Sequence, residues 1–188
     1  MRIISGRFKG RKLATPENSS IRPTSDKVRE AVFSIIASKI SNARVLDLFA
    51  GTGAFGLEAL SRGACHATFV DISSAAAATI RKNTDLAGIG NQAAMVRGSI
   101  PDVLKRSDFS DGTFDIIFLD PPYGTNLILR TLNSEAFLNL ITDTTVVIAE
   151  HPASPDMIEP SVSLAMIDRR KYGKTFVSFF QNNDKTES

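Results

Sequence analysis

Apolar residues follow two alternating spacings between residues 44 and 149. Short runs rich in β-branched residues are typical of strands, whereas apolar positions three or four residues apart are typical of amphipathic helices. The runs predict strands at 44–49, 66–71, 93–97, 114–119 and 144–149, and the helical spacing predicts helices at 54–62, 74–87, 100–106 and 126–140. Strands that alternate with helices predict an α/β fold with a mostly parallel, doubly wound sheet.

The C-terminal part of the chain departs from this alternation. Residues 162–170 and 175–180 are both strand-like, and Tyr172-Gly173-Lys174 lies between them as a turn. Two strands joined by a short glycine-containing turn are typical of an antiparallel hairpin. We therefore expect the sheet to end in such a hairpin, followed by a frayed tail over 182–188.

The first 40 residues form a separate pattern. Residues 2–13 predict a small hairpin, residues 14–23 a loop, and Thr24 the N-cap of a helix. Five apolar residues should share the buried face of this helix: Val28, Val32, Ile35, Ile36 and Ile40. Lys27 and Arg29 should lie on its polar side. We expect a hairpin-helix extension over 1–40 that packs on a main domain over 41–181.

Charge is distributed unevenly, although the net charge of the 188 residues is only +2. Residues 1–30 hold eight Lys or Arg and three Asp or Glu, a net +5, which leaves −3 for the rest of the chain. A basic arm on an acidic body indicates a polyanionic partner such as a nucleic acid, the alternative being a solvated N-terminal face. The lone Cys65 excludes an internal disulfide and suits the cytoplasm. No apolar stretch approaches the roughly 20 residues of a membrane span.

A glycine-rich turn follows the first predicted strand. Gly51, Gly53 and Gly56 match the pattern G-x-G-x-x-G, and Asp71 ends the second strand 20 residues beyond Gly51. This pattern indicates a nucleoside cofactor whose ribose hydroxyls bind the acid. Asp47 favours S-adenosylmethionine over NAD, because a carboxylate attracts an ammonium and a sulfonium but repels a pyrophosphate. After the third strand, the Ser99 hydroxyl is expected to face the adenine edge.

A second motif, Asp120-Pro121-Pro122-Tyr123, follows the fourth predicted strand. In a doubly wound sheet this strand should neighbour the first, which places the motif beside the glycine turn. Asp120 and the Pro121 carbonyl can accept hydrogen bonds from an exocyclic base amine and aim its lone pair at a methyl carbon. Tyr123 offers a flat face on which an extruded base can stack. The motif therefore predicts methyl transfer to the amine of a base.

Several segments of the chain resemble the bacterial RsmD family. They are the run from Asp47 to Gly63, the DPPYG motif from Asp120 to Gly124, the head segment from Arg22 to Ala31, and the shorter Ile3-Ile4-Ser5-Gly6 and Tyr172-Gly173-Lys174-Thr175. Members of this family are S-adenosylmethionine-dependent 16S ribosomal RNA guanine-N2 methyltransferases. The resemblance implies a Rossmann-like class I methyltransferase fold with the small N-terminal extension.

The resemblance also implies roles for individual residues. It places Asp120, Pro121 and Tyr123 at the target base, and Asp47, Gly51, Gly53 and Asp71 around the cofactor. Ser99 departs from the family, in which an acidic residue is expected nearby. The substrate would be one guanine of the small ribosomal subunit or a late assembly intermediate. Six basic residues would grip its phosphates: Arg7, Lys9, Arg11, Lys12, Arg22 and Arg29.

Three other functions stay open at this point. DPPY also suits an adenine-N6 methyltransferase of DNA or RNA, although no separate domain for reading a DNA sequence is evident. An NAD-dependent oxidoreductase would explain the glycines but not Asp47, and a non-catalytic ribosome assembly factor would explain the basic arm. His66 and His151 are isolated, so no metal site is expected. Glu150 is expected to be a strand-end cap, and the protein a monomer.

Overall fold

A computed structural model describes residues 1–15, 25–109, 112–152 and 163–183. Within these residues, one sheet contains seven strands: β1 (Arg44–Leu48), β2 (His66–Asp71), β3 (Ala93–Arg97), β4 (Ile116–Leu119), β5 (Val146–Pro152), β6 (Leu164–Tyr172) and β7 (Thr175–Asn182). Their order is β3-β2-β1-β4-β5-β7-β6. β1 to β5 are parallel, and β7 pairs antiparallel with both β5 and β6. The predicted doubly wound sheet and C-terminal hairpin are confirmed.

Five helices occur in the described residues: α1 (Asp26–Ile35), α2 (Ala54–Ser61), α3 (Ser74–Ala87), α4 (Leu127–Leu132) and α5 (Glu135–Leu138). In α1, α3 and α5, a serine side chain accepts from a free backbone N–H group and fixes where the helix begins. The Ser25 hydroxyl accepts from Val28 N, and the Ser73 hydroxyl accepts from Ala76 N. The cap predicted at Thr24 lies outside the described residues. Gly88 ends α3 in the left-handed conformation. None of these helices combines the length and apolarity that crossing a bilayer requires.

Two predicted helices differ in the structure. Residues 100–106 do not form an α-helix, and the chain makes two short 3-10 turns instead, Asp102–Lys105 and Ser107–Phe109. Val103 and Leu104 are buried in this segment, so packing rather than helical periodicity decides its path. The helix predicted at 126–140 is divided, because Ser134 caps a new helix by accepting from Phe137 N.

The sheet separates two apolar layers. Side chains alternate along a strand, so Ile116 and Phe118 of β4 face one layer while Ile117 and Leu119 face the other. The first layer is filled by the N-terminal residues with α1, α2 and α3, and the second by the 3-10 turns with α4 and α5. Helices on both faces are what a buried parallel sheet requires.

The N-terminal residues form a hairpin-like loop with a single strand bridge, between Arg2 and Lys12. This loop packs on α2 rather than standing free. Ile4 N and Ser5 N donate to the Glu58 carboxylate at 2.7 and 3.0 Å, and the Ser61 carbonyl accepts from Arg7 N. Glu58 is fully buried, so this carboxylate anchors the N-terminal residues to the body.

The prediction for the buried face of α1 is wrong at two positions. Ile35, expected inside, is 44% exposed, whereas Arg29, expected on the polar side, is fully buried. The Arg29 guanidinium donates to the Arg2 carbonyl at 2.6 Å and to Asp26 Oδ1 at 3.1 Å. Arginine is tolerated inside because it ties the N-terminal loop to α1, a contact that helical periodicity does not reveal.

Replacing Glu58 with alanine should destabilise the fold by about 3–5 kcal/mol. The substitution leaves two backbone N–H donors and the Arg62 guanidinium without their carboxylate partner. Urea unfolding should show the loss, and trypsin should cut sooner within residues 7–12 of the native protein. Glu30→Ala, which changes an exposed carboxylate on α1, is the matched control. Equal stability of the Glu58 and Glu30 variants would contradict the anchoring role.

Candidate active site

The candidate site lies at the carboxyl ends of β1, β2 and β4. β1 lies between β2 and β4, and Leu48 at its end pairs with Val70 on one side and Leu119 on the other. The strand order reverses here, because β2 and β3 are added on one side of β1 whereas β4 and β5 are added on the other. This is the point where doubly wound sheets bind ligands. The glycine turn, Asp71 and the DPPY motif therefore meet at one edge, as the sequence predicts.

The glycine turn has the sharp backbone that its sequence requires. Gly51 and Gly53 have φ values of 55° and 76°, and Phe49 also has a positive φ, 62°. The sequence does not predict the positive φ of Phe49, because nothing in the local pattern signals a bulky residue in this conformation. A Cβ at Gly56 would lie 2.4 Å from the Phe69 ring, so the third glycine lets α2 pack on the sheet. A Cβ at Gly51 would have only the Phe49 carbonyl oxygen within 4 Å, at 3.9 Å, so no steric clash closes this position to a ligand.

Asp71 joins the end of β2 to this turn. Its Oδ2 accepts from Gly51 N at 2.9 Å, and its Oδ1 accepts from Ser73 N at 2.8 Å. Each carboxylate oxygen has a second lone pair, so Asp71 can still accept hydrogen bonds from a ribose diol. Its carboxylate thus both shapes the turn and faces the ligand edge.

Asp47 lies beneath the turn and is only 2% exposed. Its Oδ2 accepts from Gly56 N at 2.9 Å. Burial raises the pKa of Asp47 to about 8, the Gly56 hydrogen bond opposes that rise, and the nearby charges of Asp120 and Asp71 add to it. In the ligand-free protein at neutral pH Asp47 therefore holds a proton, and a bound cation would favour its carboxylate form.

Asp120 and Tyr123 belong to the loop after β4, which adjoins the glycine turn after β1. Asp120 N donates to the Leu48 carbonyl at 3.5 Å, which ties the motif to β1. The Tyr123 ring is 47% exposed, and its hydroxyl lies 3.1 Å from Thr175 Oγ1 and 3.4 Å from Glu150 Oε1. Burial of the hydroxyl is the main cause that raises the pKa of Tyr123. Glu150 therefore reaches the site through Tyr123. It lies inside β5, which continues to Pro152, rather than capping the end of the strand as the sequence predicts.

Ser99 follows β3 at the same edge. Gly98 N donates to the Asp71 carbonyl at 3.1 Å, and the Ser99 carbonyl accepts from Val103 N at 2.8 Å. A Cβ at Gly98 would lie 2.4 Å from Val103, so this glycine is needed for the close turn. Ser99 is exposed, and its contact with an adenine stays a prediction.

The tip of the N-terminal loop lies away from this edge, whereas the ends of the loop reach the glycine turn, Met1 through Thr52 Oγ1 and Ala14 through Asn83. Arg7, Lys9, Arg11 and Lys12 are exposed. Arg7 donates to Gln92 Oε1 at 2.9 Å and to the Leu60 carbonyl at 3.4 Å, at the far end of α2. The eight residues of α2 span about 12 Å, so the tip of the loop lies that far from the glycine turn. Arg29 is buried, and Arg22 lies outside the described residues.

Comparisons with known proteins agree with this architecture. The chain is 31% identical over 183 residues to ribosomal RNA small subunit methyltransferase D of Haemophilus influenzae, covering 97% of this chain and 94% of that protein. It is 41% identical over 134 residues to the protein of the same name from Escherichia coli, covering 71% and 65%. The solved structure titled "Putative methyltransferase yhhF from Escherichia coli" has a TM-score of 0.84 at 31% identity and covers 97% of both chains. The fold is therefore the predicted Rossmann-like methyltransferase fold.

The family assignment rests on the length of these matches. The sequence model of the family described as Conserved hypothetical protein 95 matches residues 1–181, nearly the whole chain. Because that match and the similarity to the Haemophilus influenzae protein both span the fold from the N-terminal loop to the C-terminal hairpin, this chain belongs to the Conserved hypothetical protein 95 family, the RsmD family of methyltransferases.

Proposed function

We propose that this protein transfers a methyl group from S-adenosylmethionine to the exocyclic N2 amine of a guanine in 16S ribosomal RNA. The observation that carries the proposal is the convergence of Asp47, Asp71 and Asp120 at the switch point of the sheet. Three carboxylates at one edge favour a cationic cofactor and disfavour the pyrophosphate of NAD. The names of the curated relatives support ribosomal RNA as the class of substrate.

The residues present fit S-adenosylmethionine. Asp71 would hold the ribose hydroxyls, and the missing side chain at Gly51 would let the ligand approach the backbone. Gly53 completes the turn, and Asp47 would balance the positive charge from below. Ser99 would face the adenine. When bound, the cofactor supplies a methyl group on a cationic sulfur.

The DPPY motif would hold the amine of the base. Asp120 and the Pro121 carbonyl would each accept one N–H of the amine, which orients the nitrogen lone pair toward the methyl group. Tyr123 would stack on the extruded base. The amine nitrogen becomes positively charged only once it has gained the methyl group. It then releases a proton readily, and Asp120 would accept that proton. No strongly basic residue is needed for this step.

For the RNA, we propose that Arg7, Lys9, Arg11 and Lys12 contact phosphates away from the target base, while Arg29 has a structural role. Phosphate contacts of this kind fix the orientation of a nucleic acid without reading its sequence. We further propose that the protein acts as a monomer in the cytoplasm, on the small subunit or a late assembly intermediate. Arg22 stays a candidate from the sequence alone.

Nucleoside mass mapping of 16S ribosomal RNA tests this proposal directly. RNA from cells that lack this protein should miss one N2-methylguanosine that is present in cells that contain it. Calorimetry with the purified protein should show binding of S-adenosylhomocysteine and no binding of NAD. Identical RNA from the two cell lines, or preferential binding of NAD, would refute the proposal.

Replacing Tyr123 with phenylalanine should lower kcat by less than about tenfold, whereas Tyr123→Ala should lower kcat/KM by roughly 10- to 100-fold, since stacking of a base on an aromatic ring is worth about 1–3 kcal/mol. Phenylalanine keeps the stacking face and loses only the contacts with Thr175 and Glu150. Steady-state methylation assays compare the two. Equal losses in both variants would show that the hydroxyl, rather than the ring, is the important part.

A further inference from the structure

The turn between β6 and β7 lies at the catalytic edge of the sheet. β7 begins at Thr175, which pairs with Pro152 at the carboxyl end of β5. The Thr175 hydroxyl lies 3.1 Å from the Tyr123 hydroxyl, so the turn residues 173 and 174 adjoin the residue that is proposed to stack on the target base. No sequence motif predicts this neighbourhood, because the order β5-β7-β6 is a property of the assembled sheet.

Lys174 in this turn and Lys171 near the end of β6 are available for a ligand. Lys171 and Lys174 are exposed, and neither forms an ion pair with any residue in the described parts of the chain. The neighbouring Arg170 differs, because its guanidinium is 2.8 Å from Asp168. Arg169 is likewise engaged, since its Nε donates to the Ser178 hydroxyl at 3.2 Å. Within residues 169–174, the positive charges that form no ion pair or hydrogen bond with the described parts of the chain are therefore those of the two lysines.

The turn holds these lysines in a fixed place. Tyr172 pairs with Thr175 across a two-residue turn, and Gly173 has a φ of 63°, which a glycine adopts without strain. Lys171 also lies over the Phe176 ring, with 5.9 Å from its Nζ to the ring centroid. A short hairpin loses little conformational entropy when it binds, which favours a role in positioning a ligand.

We propose that Lys171 and Lys174 bind the RNA phosphates that flank the target base. This inference rests on the proposed function and adds a second RNA-contacting element to it. The Arg7 guanidinium, by contrast, already donates to Gln92 and Leu60 at the far end of α2, and Arg11 donates to the Leu86 carbonyl. The C-terminal turn therefore orients the nucleotide at the site, and the N-terminal loop contacts a more distant part of the RNA.

Filter binding of a 16S ribosomal RNA transcript over a range of KCl concentrations tests the inference. The variant Lys171→Gln/Lys174→Gln should bind RNA about tenfold more weakly than the wild type, and its salt dependence should fall by one to two units of slope, roughly one for each lost phosphate contact. The charge-keeping variant Lys171→Arg/Lys174→Arg should bind within about twofold of the wild type. For the single substitution Lys174→Gln, Lys39→Gln is the control of equal charge, at an exposed site before β1.

Affinity for S-adenosylhomocysteine and the melting temperature should be unchanged in every variant, which shows that the fold is intact. Wild-type RNA affinity and salt slope in the double glutamine variant would overturn the inference, as would an equal loss in Lys174→Gln and Lys39→Gln. Methylation of small subunits from cells that lack this protein is measured in parallel. RNA binding by the wild type without methylation of these subunits would refute the proposed function alone, and no binding of either the transcript or the subunits by the wild type would refute both.

Discussion

Replacing Asp120 with alanine is expected to lower kcat for methyl transfer by roughly 100- to 1,000-fold, the usual cost of removing one group that is aimed at the reacting centre. Asp120 lies at the end of β4, beside the glycine turn, where its carboxylate can accept an N–H of the base amine. Without that acceptor the amine lone pair stays delocalised into the ring. Cofactor affinity should change by less than about threefold, because Asp71 and the glycine turn hold the cofactor.

Asp120→Asn is the matched control for this substitution. Asparagine keeps one acceptor oxygen of the same geometry and removes the negative charge, so it should retain more activity than alanine. Single-turnover assays with saturating cofactor separate the methyl-transfer step from binding. Wild-type kcat in Asp120→Ala would show that another residue orients the amine, and a large loss of cofactor affinity would assign Asp120 to the cofactor instead.

The second large effect is expected at Asp47, whose burial should make the ligand-free protein less stable as the pH rises. In the unfolded chain Asp47 releases its proton near its ordinary pKa of 3.8, whereas in the folded protein it keeps the proton up to about pH 8. The unfolded state therefore binds fewer protons between these values. As the pH rises through that range, Asp47 alone should lower the free energy of unfolding by up to about 1.4 kcal/mol per pH unit.

Asp47→Asn isolates this contribution, because asparagine does not titrate but can still accept from Gly56 N. The difference in unfolding free energy between the variant and the wild type should change steadily from pH 5 to pH 8 in urea titrations. Affinity for S-adenosylhomocysteine, which carries an ammonium group, should rise over the same range in the wild type and stay constant in the variant. A stability difference that is constant with pH would contradict a protonated Asp47.

The arrangement of the site was predictable from the sequence because it depends on strand ends. Asp47, Asp71 and Asp120 each lie in or just after an apolar run, and the carboxyl ends of parallel strands share one edge. The alternation of strands and helices fixes that topology almost completely. The residues that the chain places at the ligand edge therefore follow from their positions along the sequence.

The remaining features depend on contacts between distant segments. Arg29 is buried because the Arg2 carbonyl needs a donor, and Glu58 is buried because it holds Ile4 and Ser5. Neither contact has a signature in the local pattern of either segment. The position of the basic loop tip, away from the site, follows from the same packing on α2. Helical periodicity alone would have placed Arg29 in solvent.

One measurement tests the central claim most directly. Purified protein is incubated with S-adenosylmethionine that carries a trideuterated methyl group and with small subunits from cells that lack this protein. The account predicts about one trideuteromethyl group per subunit, found by mass spectrometry on N2 of a single guanosine. With Asp120→Ala this group should form at least roughly 100-fold more slowly. A trideuteromethyl group on adenosine N6, or RNA that gains none, would contradict it.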